Sequence, residues 1–293
     1  MMRTWCLACA VAIAGHAASA DDSWPFNAEG RATIGLTNRI PGAAPFLAGD
    51  VLFSLGVSGT PLSFELGAYG YLNRTDTPHE TYGALAWTFP VAKVSAGVVK
   101  PAYDSFALSA LDRILPTLGA ERARQTRSEA TWGAMFDGYL PLGARVESRI
   151  GPVDLAVSAH RDKSRKATLV AVGAAWTQGA WTVSGAVEGD VDDDTGTQAK
   201  LAAEWRGDRL SAGAAVFVPD STTLPDLLEL SGTYAAAPRI ELSGAVQIPL
   251  DGAAATVAAS GRYQMNSGIG VNIGAGVEDG HDAVVSTYLD WRF

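Results

Sequence analysis

The sequence predicts an all-β fold, a 16-stranded antiparallel transmembrane β-barrel. Turn motifs recur about every 28 to 30 residues, for example at 151–152, 207–208 and 237–238. Such a period holds two strands of about 9 to 11 residues, the length that crosses a bilayer obliquely, plus one turn and one loop. No run of 18 apolar residues follows residue 20, which excludes a helical membrane span. A membrane face must therefore lie in alternating strands, since only a closed barrel pairs every backbone group in lipid.

Alternation of apolar and polar residues places the individual strands. In 197–206, Leu201 and Trp205 fall on one face while Lys200 and Glu204 fall on the other, which needs water. The predicted strands are 28–39, 49–59, 62–73, 80–89, 91–99, 142–150, 153–161, 166–177, 181–191, 197–206, 209–218, 226–235, 239–249, 254–265, 269–278 and 283–293. Because the count is even, both termini lie on one side, predicted to be periplasmic. The first third is less regular, so a barrel with one hairpin fewer is the alternative.

Residues 1–20 have the pattern of an export signal peptide. Arg3 stands in a short basic start, an apolar stretch runs through Ala14, and the small residues at 18–20 form a cleavage site. The predicted mature domain is therefore the barrel, 21–293.

Both cysteines, Cys6 and Cys9, lie in this predicted signal. A lipid attached to Cys9 is the alternative, but the apolar core continues beyond it. Without these residues the chain has no thiol for a disulfide or a cysteine-ligated metal. The formal net charge is −9, and it becomes about −10 without Arg3, which argues against a nucleic-acid partner.

One interval breaks the period of the turns. Pro90 and the turn at 151–152 are about twice the usual distance apart, so 100–141 belongs to a single long loop. Loops of this length are uncommon and are usually functional or disordered. Its mixture of aromatic, apolar and charged residues is unlike a linker. We therefore predict a folded constriction loop inside the pore, with a surface loop or unselective plug as the alternative.

Several of these features together resemble the general porins of Gram-negative outer membranes. They are the export signal, the sixteen strands, the terminal Trp291-Arg292-Phe293 and the single long loop after the fifth strand. Residues 94–108, VSAGVVKPAYDSFAL, look like the fifth strand and loop start of porins from photosynthetic alpha-proteobacteria. The resemblance covers the whole predicted mature chain.

The resemblance implies a water-filled channel for passive diffusion of ions and small hydrophilic solutes across the outer membrane. It implies a third loop that folds into the barrel and narrows it. It also implies a homotrimer, membrane lipids and lipopolysaccharide as surroundings, and the barrel-assembly machinery as a partner.

The last strand ends in alternating apolar residues. Leu289, Trp291 and Phe293 share one face, which resembles the assembly signal of outer-membrane barrels. The alternative is that these side chains simply join the aromatic girdle at the interface, and both can hold together.

Selectivity in such a pore depends on charged side chains at its narrowest section. The candidate constriction residues are Asp104, Asp112, Glu121, Arg145 and Arg262. The candidate lumen-lining residues are Arg31, Glu65, Lys93, Arg149, Glu188 and Lys200. The two signs roughly balance, so no ion preference follows. In the porin family loop acids face a basic cluster on the wall, whereas here strands two to four offer no inward Arg or Lys, and Arg145 and Arg262 are the substitutes.

Two other functions remain open at this stage. A substrate-specific channel for a sugar or other nutrient needs an aromatic track, for which the candidates are Tyr69, Tyr71, Tyr103, Phe106, Trp132, Phe136 and Tyr139. An adhesin or structural barrel is the other alternative, and it predicts no ion current.

Enzymatic and metal functions have little support. His79, His160 and His281 lie in no nucleophile motif such as Gly-x-Ser-x-Gly, so we expect no catalysis and no cofactor. An acidic loop tip that includes Asp192 and Asp194 is a weak calcium candidate, since its spacing fails the EF-hand pattern.

Overall fold

The chain forms a closed barrel of sixteen antiparallel strands, as the sequence predicts. The computed structural model describes residues 26–39, 44–73, 77–162, 167–192, 196–221, 223–266, 268–278 and 282–293. Each strand pairs with the next along the chain, and the first pairs with the last. At this closure Gly30 and Phe293 exchange backbone hydrogen bonds of 3.0 and 3.2 Å. The predicted signal peptide 1–20 lies outside the described residues.

The strands have the following bounds. They are β1 Phe26–Thr37, β2 Ala44–Gly56, β3 Leu62–Leu72, β4 His79–Thr88, β5 Lys93–Val98, β6 Leu142–Ile150, β7 Val153–Asp162, β8 Ala167–Gln178, β9 Trp181–Asp190, β10 Thr197–Arg206, β11 Leu210–Val218, β12 Leu227–Ala237, β13 Ile240–Pro249, β14 Thr256–Gln264, β15 Ile269–Glu278 and β16 Val284–Arg292. Tight turns such as 151–152 and 179–180 join strands at one end of the barrel, which we call the short-turn end. Phe26 and Phe293 also lie there, and the opposite end is called the long-loop end.

The predicted start of β2 at residue 49 is wrong. The strand begins at Ala44, and Phe46 and Ala48 already face inward. Pro45 hides this extension in the sequence because proline has no N–H for a ladder. It is tolerated because residues 44–46 pair with β1 alone, and pairing with β3 begins only at Leu47.

The outer face of the wall is apolar. Alternate positions carry exposed side chains such as Ile34, Leu66 and Leu201, which are 47 to 59% exposed. Aromatic side chains, among them Trp87 and Trp181, add to this face near the strand ends. An apolar band with aromatic borders is typical of a barrel surrounded by lipid. None of the helices in the described part of the chain is long and apolar enough to cross a membrane.

The connection between β5 and β6 carries all the helices of the described residues. We call 100–141 the inner segment. It contains a 3₁₀ turn at Tyr103–Ser105 and four short helices, α1 Leu111–Ile114, α2 Pro116–Glu121, α3 Ala123–Thr126 and α4 Glu129–Phe136.

Candidate functional site

The inner segment lies inside the barrel. Its residues contact strands on every side of the ring, from β1 through β4 and from β6 through β16. Examples are Ala102 N–H to Ser158 on β7 at 2.9 Å, Arg122 to Thr256 on β14 at 2.9 Å, and the Tyr288 hydroxyl on β16 to the Ile114 carbonyl at 2.8 Å. No position outside the wall reaches all these strands at once, so the segment occupies the lumen.

At mid-height the inward face of β7 to β15 carries many small residues. The inward alanines and glycines that touch the inner segment are Ala156, Ala171, Gly173, Ala186, Ala202, Ala215, Ala245, Ala258, Gly274 and Gly276. We call this set the small-residue belt. The Phe106 ring lies directly over the bare backbone of Gly173, where a Cβ would collide with it. The expectation of polar inward positions is therefore wrong at this level, because protein rather than water faces them.

Five apolar clusters join the inner segment to the wall. In one, Leu111, Leu115 and Leu118 pack on β13, β14 and β16; in another, Tyr103 and Phe106 pack on β7, β8 and β9. The other three lie around Ala107, Ala120 and Ala123. Full burial of one large apolar side chain stabilises by about 1.5–3 kcal/mol. The segment is thus held like a protein core, not like a mobile surface loop.

The inner segment also crosses the centre of the lumen. The Thr126 carbonyl accepts a hydrogen bond of 2.9 Å from Lys200 on β10. The next residue, Arg127, bonds to Asp50 on β2 at 3.0 Å and stacks on Tyr69 of β3 at 3.9 Å. In a ring of sixteen strands, β2 and β10 stand opposite each other. Residues 126–127 therefore bridge opposite walls.

Arg127 is the centre of this bridge. Its guanidinium is only 3% exposed and also bonds to Asp112 of α1 at 2.6 Å, which ties the two halves of the segment together. Burial alone would lower the pKa of Arg127, but Tyr69 and the carboxylates of Asp112 and Asp50 outweigh this effect. The pKa lies well above its ordinary value, so the side chain stays charged.

Wall carboxylates hold the segment at two further points. Glu188 accepts hydrogen bonds from the Ser128 hydroxyl at 2.6 Å and the Glu129 N–H at 2.8 Å, at the start of α4. Glu229 accepts from the Ser109 hydroxyl at 2.6 Å and the Ala110 N–H at 2.7 Å. Both carboxyl groups are at most 2% exposed, so water does not compete for these bonds.

Two charged cavities lie beside the inner segment, mostly on its short-turn side, and the larger one also reaches Gly70 and Ala120. Their volumes are about 670 and 610 Å³, and both are lined by Glu29, Leu52, Lys100 and Leu108. The larger cavity is further lined by both charge signs and by hydroxyls: Arg31, Arg113, Glu204, Arg206, Ser211, Ser231, Thr233, Glu241, Ser243, Ser260, Arg262 and Arg292. This half of the lumen is a water-accessible vestibule.

The five predicted constriction residues do not form one ring. Asp104 is buried within the segment, and Asp112 is bound to Arg127. Glu121 lies near the long-loop end in a two-bond pair with Arg39, of 3.0 and 2.8 Å. Arg145 bonds to Glu147, Ser105 and the Lys100 carbonyl, beside the smaller cavity.

Arg262, the fifth of them, belongs to a cluster around Asp290. That carboxylate is fully buried and pairs with Arg31 at 3.3 Å, Arg262 at 3.0 Å and Arg292 at 2.9 Å. Asn272 donates a further hydrogen bond of 2.6 Å. The cluster lies on the wall of the vestibule and is where positive charge concentrates.

The predicted lumen-lining residues divide into two groups. Arg31, Glu65, Lys93 and Arg149 line the two cavities, and Lys93 bonds to Glu65 at 2.6 Å. Glu188 and Lys200 also face inward but are buried under the inner segment.

Several inward acids are absent from the predicted set, and Asp50 and Glu80 are two of them that hold the inner segment. Asp50 pairs with Lys100 at 2.7 Å and with Arg127, and Glu80 bonds to Thr131 of α4. The alternation that places Leu52 and Ser54 inward applies to Asp50 as well. For Glu80 the alternation predicts an inward position less clearly, because this residue stands next to the end of β4.

Several of the predicted track aromatics are buried rather than displayed. Tyr69, Tyr71, Tyr103 and Phe106 are at most 7% exposed and pack between segment and wall. They do not present a continuous aromatic surface to a solute.

At the C terminus Leu289 and Phe293 are each 37% exposed, on the outer face with Trp291. The Phe293 ring stacks on Phe53 at 6.0 Å, and Phe53 stacks on Phe26 at 5.9 Å. The end of the chain is thereby tied to β1 and β2.

The remaining predicted features lie at the long-loop end. Asp192 is exposed and bonds to Arg161 and to Thr168, while Asp194 and His281 lie outside the described residues. Among the described residues no three acidic, histidine or cysteine side chains form a metal-binding group. The buried His160 ring nitrogen Nε2 lies 3.0 Å from the Val99 carbonyl oxygen, which makes it part of the packing between wall and segment.

Comparison with known proteins identifies the fold. No family model matches the chain, and no curated protein sequence matches it. Two solved variants of the porin of Rhodopseudomonas blastica are each 18% identical to it, with TM-scores of 0.67 and 0.68. Each match covers 92% of this chain and 100% of the porin. The resemblance seen in the sequence is thus confirmed for the architecture, and the chain has the fold of a 16-stranded porin barrel.

Proposed function

We propose that the protein is a channel of the Gram-negative outer membrane that passes ions and small hydrophilic solutes without catalysis. The observation that carries this proposal is the vestibule: two connected, charged cavities inside a wall whose outer face is apolar. Barrels of about eight strands fill their interior with wall side chains, whereas those of 16 to 18 strands enclose a channel. The porin fold is consistent with this function.

The inner segment sets how far that channel is open. Inward wall residues on the long-loop side, among them Phe46, Ala171 and Leu227, are at most 8% exposed. Passage from the vestibule to the long-loop end therefore needs either a narrow polar seam or a displacement of the segment. Charged pairs such as Arg39–Glu121 and Arg122–Glu278 mark such a seam beside β1 and β15. We expect a small unitary conductance and assign the segment the role of constriction and gate.

The same proposal includes the export of the protein, its insertion into the membrane and its oligomeric state. The predicted signal peptide 1–20 takes the chain to the periplasm, where the barrel-assembly machinery recognises Leu289, Trp291 and Phe293. The apolar outer face contacts membrane lipids and lipopolysaccharide. The proposed assembly is a homotrimer, on the resemblance to general porins. No cofactor is proposed.

Single-channel recording in a planar bilayer across a salt gradient tests the channel directly. The wild-type protein should give small or rare steps, and a variant that lacks residues 104–138 should give large, stable ones. The reversal potential then reports the ion preference. If the shortened barrel folds with its strand content intact but passes no current, the channel proposal fails and a structural barrel or adhesin takes its place.

A further inference from the structure

Two acids share one hydroxyl between the wall and the inner segment. The Thr131 Oγ1 atom of α4 lies 2.7 Å from Oε2 of Glu80 on β4 and 2.5 Å from Oδ2 of Asp104. All three residues are at most 1% exposed. The group thus joins β4, the 3₁₀ turn and α4.

Counting hydrogens shows that one of the two acids carries a proton. A threonine hydroxyl has one hydrogen and donates it to one acceptor only. The second oxygen at this distance must then donate to Oγ1, which requires a protonated carboxyl group. If both carboxylates were ionised, one of them would be a buried negative charge that faces a lone pair of the Thr131 hydroxyl oxygen.

The partners of each acid identify Glu80 as the protonated one. Asp104 accepts a second hydrogen bond, of 2.8 Å, from the Ser128 N–H through Oδ1. Glu80 Oε1 has no hydrogen-bond partner of ordinary geometry among the described residues, and the Tyr82 hydroxyl is the side-chain donor that acts on this carboxyl group. A buried oxygen without such a partner suits a neutral carboxyl group better than a charged one.

The charged surroundings favour the same assignment. Tyr69 is the cross-strand neighbour of Glu80 on β3, and it carries Arg127 on its ring. Tyr82 is the next inward residue of β4, and Lys100 acts from the start of the segment. Asp104 itself lies near Lys200 and Arg127, near Glu188, and near Tyr103 and His160. Lys100 and Arg127 instead form ion pairs with Asp50 and Asp112, and among the described residues Glu80 has no salt-bridge partner.

We propose that Glu80 is a protonated latch that fastens the inner segment to β4. The Glu80 carboxyl donates to Thr131, and the Thr131 hydroxyl donates to the Asp104 carboxylate. The latched state then binds one proton more than a released state in which Glu80 faces water and titrates near the ordinary value of about 4.3. By linkage, the latch is full in acid and weakens as the pH rises past that value. Its consequence for conductance rests on the proposed channel function, but its existence does not.

Infrared spectroscopy tests the proton itself, independently of any current. Wild-type protein at neutral pH should show the carbonyl band of buried protonated carboxylic acid, and this band should be weaker in Glu80→Gln by the contribution of one group. The matched control is Glu229→Gln, because Glu229 is an equally buried wall acid that accepts three hydrogen bonds. This variant should keep the band. A band of unchanged intensity in Glu80→Gln overturns the proposal.

Protection of the inner segment from proteases distinguishes Glu80 from Glu229 in a second way. Glutamine at residue 80 retains a donor for Thr131, so Glu80→Gln should keep the segment protected from pH 5 to 9, whereas wild-type protection should fall toward pH 9. Glu229→Gln should lose protection throughout, because glutamine has only one acceptor oxygen where Glu229 uses both for the two segment donors. Equal pH dependence in wild type and Glu80→Gln would contradict the latch.

The pH dependence of channel conductance tests the effect of the latch on function. The open probability of the wild-type channel should rise with pH, by at most about tenfold per pH unit, since one proton is involved. Glu80→Gln should show a flat profile. If neither protein conducts although the infrared result holds, the channel proposal fails while the latch stands. If both conduct with the same rise, the latch is wrong and the channel stands.

Discussion

At the scale of single residues, Arg127 shows why the inner segment is a fixed part of this barrel. Its side chain pairs with a wall carboxylate and a segment carboxylate, and its pKa lies well above the ordinary value. It therefore remains charged at any pH at which the barrel is folded, and the pairs with Asp50 and Asp112 do not switch. Any pH response of the segment must arise elsewhere.

Replacing Arg127 should release the segment. In Arg127→Met, Asp50 keeps Lys100 but Asp112 loses its partner within the lumen. Breaking a buried pair by removing one member typically costs about 3–5 kcal/mol. We expect higher channel conductance and proteolysis within 100–141. The control is Arg124→Met, since Arg124 is exposed and stacks on Trp132 at 4.7 Å. Equal behaviour of the two variants would show that the bridge does not hold the segment.

Asp290 should control the ion preference of the vestibule. Asp290→Asn removes the charge that three arginines share and leaves them only Glu241, at 3.3 and 3.6 Å from two of them. The anion preference should rise about twofold to tenfold, since one unit charge across part of the lumen is worth ~1 kcal/mol. Reversal potentials in a salt gradient measure this shift. Asp154→Asn is the control, because its carboxylate is exposed and pairs with Arg149 at the rim. A larger shift in the control would place the selective section elsewhere.

At the scale of elements, the strands were largely predictable and the helices of the inner segment were not. Membrane-length strands repeat a two-residue alternation over nine or more positions, so β10 and β15 have the predicted bounds 197–206 and 269–278. Helices of four to eight residues such as α1 and α3 are too short for periodicity to reveal, and they depend on contacts with the wall.

The candidate functional site was also predictable only in part, because local sequence patterns do not report all of its contacts. Parity correctly placed Lys93 and Arg262 inside, because charged side chains cannot face lipid. Alanine and glycine are tolerated on either face, so the small-residue belt gave no signal in the sequence. Which charges pair with which, as in the Asp290 cluster, depends on strands that are far apart in the chain.

The small-residue belt should be intolerant of larger side chains. Ala171 is 0% exposed and packs beneath Tyr103 and Phe106. In Ala171→Leu the added atoms should displace the 3₁₀ turn, at a cost of about 1–3 kcal/mol for overpacking. Limited proteolysis should then cut within 100–141 while the barrel keeps its resistance to heat in detergent.

The neighbouring position supplies the control for this change. Val172 is 50% exposed on the outer face, so Val172→Leu should leave the segment protected. If Ala171→Leu is equally protected, the segment does not depend on the belt.

At the scale of the whole molecule, the lumen has a closed half and an open half. The chain has two cysteines, both within the predicted signal peptide, so single cysteines can report access. Ser243→Cys, in the wall of the larger cavity, should react with a water-soluble thiol reagent. Ala186→Cys, 4% exposed under the segment, should not.

Removal of residues 104–138 should make Ala186→Cys as reactive as Ser243→Cys. Fast labelling of Ala186→Cys in the full-length protein would mean that the segment leaves the wall spontaneously.

Contacts between the inner segment and the complete ring also fix an order of assembly. The segment binds residues up to 174 positions away, such as Tyr288 of β16, and it needs both β2 and β10 to seat Arg127 and Thr126. Contacts of such long range form late, because their chain entropy must be lost first. The wall must therefore close before the segment can dock. A newly closed barrel is a wide hole in the membrane until then, and the speed of docking decides how long each new copy leaks.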